Sequence, residues 1–272
     1  MELQNFLTNI NIYVVLLAAF AAAMLEIDNY FVGMTLISQP IFAGALIGFI
    51  FNGDIYTGVL MGAIVQLLWI NAPPVGAYVP PSASAIAMSA TVLASSMGQQ
   101  IQEDTSTPVL MFTLLSAAGI GYFVGLMDVW NRKFNTKIMH LFEDKIKAGR
   151  QSFVTMIQVS AIAAKLLRDF LVYAVVFSVG VYLANAIYIT LPDQIIDALG
   201  YAFWAMPAIG IAVVFDMFRT KTGEGLFVAV FALTYLIFSF RKPDVFLFLA
   251  AVLTASVFVV YNSVWGKKGK TT

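Results

Sequence analysis

The chain has 272 residues, 60% of them hydrophobic and only 11% charged, with a mean hydropathy of +0.86. Soluble domains carry roughly 25% charge, so this deficit, spread over several long apolar runs, excludes a soluble domain. It points to an all-α, polytopic integral membrane protein. Lys and Arg (15) balance Asp and Glu (15), and the pI is about 6.6, so no nucleic-acid partner is expected. With no cysteine, disulfides and thiolate chemistry are excluded.

In chain order, the first apolar run is Asn11 to Leu25, closed by Glu26 and Asp28. The residues before it contain Glu2 and no Lys or Arg, whereas a secretory signal needs a positive leader. It therefore reads as a retained first helix, despite Ala21-Ala22-Ala23. Ile41 to Phe51 is about half a span before the turn signal Asn52-Gly53-Asp54. That length suits a re-entrant or interfacial piece. Ile55 to Ile70 follows, with Gln66 one turn from its end. The pairs Pro73-Pro74 and Pro80-Pro81 then break the helical pattern before a small-residue run from Ala83 to Met97.

Gln99 to Thr107 reads as a polar loop, and Val109 to Trp130 as a full span. Asn131 to Arg150 reads as the main hydrophilic loop, and its six Lys and Arg residues place it in the cytoplasm. Ser152 to Ala164 leads into Lys165, Arg168 and Asp169, charges that suggest an amphipathic, interfacial segment. Phe170 to Leu191 and Ile195 to Phe215 read as spans, the second bent at Pro207. Leu226 to Phe240 and Val245 to Trp265 form a last pair. Lys267, Lys268 and Lys270 put the C-terminus inside, while Arg241 and Lys242 run against that bias. No long linker interrupts the chain, so residues 1–272 read as one membrane-embedded domain. Three GxxxG patterns (Gly44–Gly48, Gly58–Gly62 and Gly121–Gly125) offer close helix contacts, or occur by chance among 19 glycines.

Catalytic machinery is scarce. The single histidine, His140, falls in the basic segment and reads as a solvated side chain. A His/Cys zinc site and a Walker-type phosphate loop are both missing from the sequence. No enzymatic activity of the chain on its own, no metal and no cofactor is expected.

Polar side chains concentrate instead between Met24 and Ala85. Burying such groups in lipid is expensive, so they mark a pathway or a site by default. A neutral, hydroxyl-rich substrate needs acceptors and amides that both give and take hydrogen bonds, plus a flat apolar surface. Glu26, Asp28, Gln39, Gln66 and Asn71 supply the first, Trp69 and Tyr78 the second. Ser82 and Ser84, just after Pro81, suit the cap of a half-helix whose positive end faces that site. Plainer roles stay open: helix-end markers for Glu26, Asp28 and Asp54, interhelical hydrogen bonds for Gln39 and Gln66, an interfacial anchor for Trp69.

The stretches Ile37-Ser38-Gln39-Pro40, Gly44-Ala45-Leu46-Ile47-Gly48, Gly53-Asp54-Ile55-Tyr56-Thr57-Gly58, Gly62-Ala63 leading to Gln66-Leu67, and Pro74-Val75-Gly76-Ala77-Tyr78-Val79-Pro80-Pro81 together resemble the membrane permease IIC of the mannose/fructose/sorbose family of bacterial sugar phosphotransferase systems. The order and spacing fit across roughly the first hundred residues. The resemblance implies a multi-pass sugar translocator of the bacterial cell membrane. It would work in an oligomeric complex with a second membrane subunit, IID, and cytoplasmic IIA and IIB, whose histidines carry the phosphate. It carries over Asp28, Gln39, Gln66 and Asn71 as site positions. The family often has an acidic residue after the second Pro-Pro pair, where this chain has Ser82. Two other classes fit the same residues: an ion-coupled secondary transporter using Glu26 or Asp28, and a membrane scaffold held by the GxxxG faces.

Overall fold

The computed structural model describes residues 11–29, 35–51, 53–70, 80–101, 106–147, 152–217, 225 and 227–232. Its helices are α1 (Ile12–Ile27), α2 (Pro40–Ile50), α3 (Ile55–Trp69), α4 (Ala83–Ile101), α5 (Thr107–Lys147), α6 (Ser152–Val175), α7 (Val181–Tyr188) and α8 (Asp193–Met217). A 3-10 turn, Leu36–Ser38, precedes α2, and a π-helical turn, Val176–Gly180, joins α6 to α7. The chain divides into two compact units, one of residues 1–66 and 73–203, the other of 67–72 and 204–272.

In the first unit, α2 and α3 form a hairpin whose spacing is set by glycine. A Cβ on Gly44 would run into the Gly58 carbonyl, one on Gly58 into the Gly44 carbonyl, and one on Gly62 into the Pro40 carbonyl. Two of the three GxxxG patterns are thus one antiparallel backbone contact. The turn between them needs Gly53 at φ +70°, and Asp54 closes it. The Asp54 carboxylate accepts the Thr57 N–H (3.1 Å), capping α3, and the Ser95 hydroxyl (2.8 Å) of α4. With 11 residues, α2 is about 16 Å long, roughly half the hydrocarbon thickness. The half-span expectation holds.

The third pattern has a different use. Gly121 and Gly125 of α5 leave room for the extended chain at Pro80, Pro81 and Ser82. The Ser82 N–H donates to the Gly121 carbonyl (3.1 Å). The second proline pair is thereby seated against a helix rather than exposed.

At the centre lies α4, buried on all sides from Ser84 to Gly98. Small side chains allow this, and two of its hydroxyls turn back on the helix. Thr91 donates to the Ala87 carbonyl (2.8 Å) and Ser96 to that of Val92 (2.7 Å). Helices α2 and α5 pack on α4, and α1 packs on α6.

Two sequence expectations are corrected. Asn131 to Lys147 is helix, the continuation of α5, and not a loop. Its Lys and Arg residues are strong helix formers and nothing before Lys147 breaks the pattern. At 41 residues, α5 is about 60 Å long, well beyond the membrane core. Ser152 to Ala164 is no separate interfacial piece, but runs unbroken through Lys165, Arg168 and Asp169 as α6. Those three charges face inward.

The second unit contains the end of α3 and α8 from Trp204. Gly210 packs against Leu67, and Phe215 meets Phe227 edge-on at 5.2 Å between ring centroids. Helix α8 continues through Pro207. Most of the expected last pair of spans, from residue 233 on, lies outside the described residues.

Candidate functional site

In the first unit, the C-terminal end of α1 meets the N-terminal ends of α2 and α4. Glu26, in the last turn of α1, is fully buried (0% exposed). Its Oε1 accepts two hydroxyls, from Ser82 at 2.8 Å and from Tyr173 of α6 at 3.0 Å. Its Oε2 has no hydrogen-bond donor among the described residues. Ser82 also receives the Ala85 N–H (3.2 Å), so it caps α4 as its position after Pro81 suggested. A carboxylate at this helix start also gains from the positive end of the dipole.

A second chain of hydrogen bonds lies alongside. The Asn29 amide donates to the Ser84 hydroxyl (2.6 Å), which donates to the Ser38 carbonyl (2.8 Å). This ties α1, α4 and the turn before α2 into one polar centre. Gln39 precedes α2, and its Oε1 accepts the Gln66 amide of α3 at 3.3 Å. The Gln66 Oε1 is buried without a partner among the described residues. The two glutamines, 27 residues apart in sequence, therefore stand side by side.

The remaining expected residues are less central or not described. Asp28 accepts the N–H (2.9 Å) and hydroxyl (2.6 Å) of Thr35. Trp69 occupies the last turn of α3, half-buried, in the second unit. Asn71, Tyr78 and the pair Pro73-Pro74 lie outside the described residues. His140 is exposed on α5 beside Glu143 (3.3 Å), solvated as expected but helical.

Sequence reasoning missed two features. One is Tyr173, hidden in an apolar run. The other is a buried ion cluster joining α5 to α6. Asp128 Oδ1 accepts Lys165 Nζ (3.0 Å) and Arg168 Nη2 (2.6 Å), while Asp169 accepts Lys165 (2.8 Å) and Arg168 Nε (2.8 Å). Arg168 also donates to the Met127 carbonyl (2.8 Å). Two cations and two anions cancel, which is what makes burial tolerable. The spacing of Lys165 and Asp169, one helical turn apart, was the readable signal. Asp128 inside an apolar span was another. Along α6, Tyr173 stands one turn beyond Asp169, so the cluster and the Glu26 contact share a helix face.

Half-length helices converging on buried polar groups, beside long apolar ones, define a multi-pass α-helical membrane protein of the transporter type. Among the described residues, three helical stretches (Thr107–Glu143, Phe153–Tyr188 and Asp193–Asp216) are long and apolar enough to cross a membrane. The family can be stated more narrowly. A family model described as the sorbose-specific IIC component of the PTS system matches residues 10–260, and the chain belongs to that family.

Over 179 residues the chain is 24% identical to the fructose permease IIC component of Bacillus subtilis (strain 168), covering 66% of this chain and 63% of that protein. The match thus spans less than two thirds of that relative's length. Over 214 residues it is 23% identical to the mannose-specific EIIC component of Escherichia coli (strain K12), covering 78% and 75%. A solved structure described as a membrane protein shares the fold, with a TM-score of 0.62 at 19% identity, covering 96% of this chain and 98% of the other.

Proposed function

We propose that this chain is the sugar-translocating IIC subunit of a phosphotransferase system. It binds a sugar within the membrane and carries it inward, where the partner IIB subunit phosphorylates it. IID is its membrane partner, IIA and IIB its cytoplasmic ones, in an oligomeric complex of the bacterial cell membrane. Residues 1–272 act as one permease domain. Phosphorylation charges the product, so inward movement becomes effectively irreversible without an ion gradient.

The observation that carries this reading is the meeting of three helix ends at buried groups suited to hydroxyls. Glu26 offers an acceptor oxygen and the Gln39–Gln66 pair offers amides with a buried acceptor still unused. A hexose hydroxyl both donates and accepts, and amides answer both needs. Asp28, whose carboxylate holds Thr35, is proposed as a further polar group of the site. Trp69 and Tyr78 are proposed as surfaces for the sugar's C–H face, and Asn71 as a further amide.

The test is hexose binding to membranes carrying Gln66→Leu, with tritiated mannose, fructose and sorbose as probes. The substitution keeps the side chain's bulk and removes its hydrogen bonds. Binding should fall at least tenfold, with inserted protein at the wild-type level, because a site built on hydrogen bonds tolerates their loss poorly. Unchanged affinity would remove Gln66 from the site.

A further inference from the structure

We infer that Tyr173 is a positioning residue: with Ser82, it holds Glu26 so that the second carboxylate oxygen is presented to a hydroxyl of the transported sugar. The inference rests on the sugar-site reading above and adds to it a residue from a distant part of the chain, 147 positions from Glu26.

The geometry is asymmetric. Both hydroxyls, Ser82 at 2.8 Å and Tyr173 at 3.0 Å, go to Oε1. Oε2 is buried and meets no donor among the described residues. Leaving a buried acceptor unpaired is costly, so a donor brought to Oε2 meets an oxygen whose capacity is unused. Splitting the work in this way fixes the carboxylate plane and leaves one oxygen with its acceptor capacity. Sugar hydroxyls are donors of the right kind.

Tyr173 is itself held in place. It is fully buried, and its ring packs on Phe177 at 5.4 Å between centroids. One turn earlier on α6, Asp169 is locked into the ion cluster with Lys165 and Arg168. Three residues later the helix passes into the π-helical turn Val176–Gly180, a local widening often found at functional positions. The phenol is therefore set by its own helix and does not depend on Glu26 for its place. Glu26 depends on the phenol. The three groups come from α1, α4 and α6, so the carboxylate direction reports the relation of three helices at once.

The test uses native membrane vesicles in which variants replace the wild-type chain, with tritiated mannose, fructose and sorbose as probes. Tyr173→Phe keeps the ring and removes the hydroxyl. It should weaken binding of the best-bound hexose about tenfold, as should Ser82→Ala, while Ser82→Thr, which keeps a hydroxyl, should retain it. Glu26→Gln should weaken binding more. In the Glu26→Gln background, Tyr173→Phe should have no further effect, because it acts through the carboxylate. A strut with a purely structural role would instead weaken binding equally in both backgrounds. Wild-type affinity in Tyr173→Phe, with Glu26→Gln impaired, would overturn the positioning role and leave the sugar site standing. Wild-type affinity in Glu26→Gln would overturn both. If Tyr173→Phe fails to insert, the Ser82→Ala and Ser82→Thr pair in the two Glu26 backgrounds decides the matter by the same coupling.

Discussion

Replacing Lys165 with Met turns a neutral buried cluster into one with an excess negative charge. In the native chain Lys165 and Arg168 face Asp128 and Asp169, and the side chains of Lys165, Asp128 and Asp169 are each under 5% exposed. After the substitution, Arg168 alone must serve two carboxylates. Removing one partner of such a buried pair costs about 3–5 kcal/mol, since the other charge stays buried. For a chain of this size each kcal/mol lowers the melting temperature by about 2–4 °C, so a fall of about 6–20 °C is expected. Asp128→Asn should do the same with the opposite excess. The double variant restores neutrality, with the Arg168–Asp169 contact intact. It should lose about 2 kcal/mol less than the sum of the two singles. The assay is thermal unfolding of detergent-solubilised protein followed by size-exclusion chromatography. Additive losses in the double variant would refute the view that the four charges form one compensated unit.

Two further substitutions probe the elements that carry the polar centre. Gly58→Ala should force α2 and α3 apart at the Gly44 carbonyl and cost about 1–3 kcal/mol, read in the same thermal assay; unchanged stability would mean the backbone contact is not tight. Ser82→Asp would set a second carboxylate against Glu26 in place of the hydroxyl that now donates to it at 2.8 Å. It should destabilise the chain at neutral pH, and Glu26→Gln should rescue it, because like charges directly apposed repel; no rescue would show that the two positions do not meet.

Much of this fold was legible from local signals. The half-length α2 followed from eleven apolar residues before a turn, and the cap at Ser82 from its place after Pro81. The glycine hairpin showed as paired GxxxG patterns, although only the coordinates reveal that Gly44 and Gly58 face each other. Long-range pairing was not legible. Nothing in an apolar stretch announces that Tyr173 reaches Glu26, since one hydroxyl barely alters hydropathy. Lys165, Arg168 and Asp169 misled because a charge run usually marks water. Here the opposite charge came from Asp128, 37 residues away, and pairing reversed the inference. The same bias made Asn131 to Lys147 look like a loop, when charged residues with good helix propensity simply continued α5.

Whether transport is coupled to phosphorylation can be read from uptake into vesicles. Native membrane vesicles containing this chain and the proposed IID, IIA and IIB partners are given tritiated hexose, with or without phosphoenolpyruvate. Label should accumulate only with phosphoenolpyruvate and appear inside as sugar phosphate, and dissipating ion gradients should leave it unchanged. Accumulation of free sugar driven by a proton or sodium gradient, indifferent to phosphoenolpyruvate, would contradict that coupling.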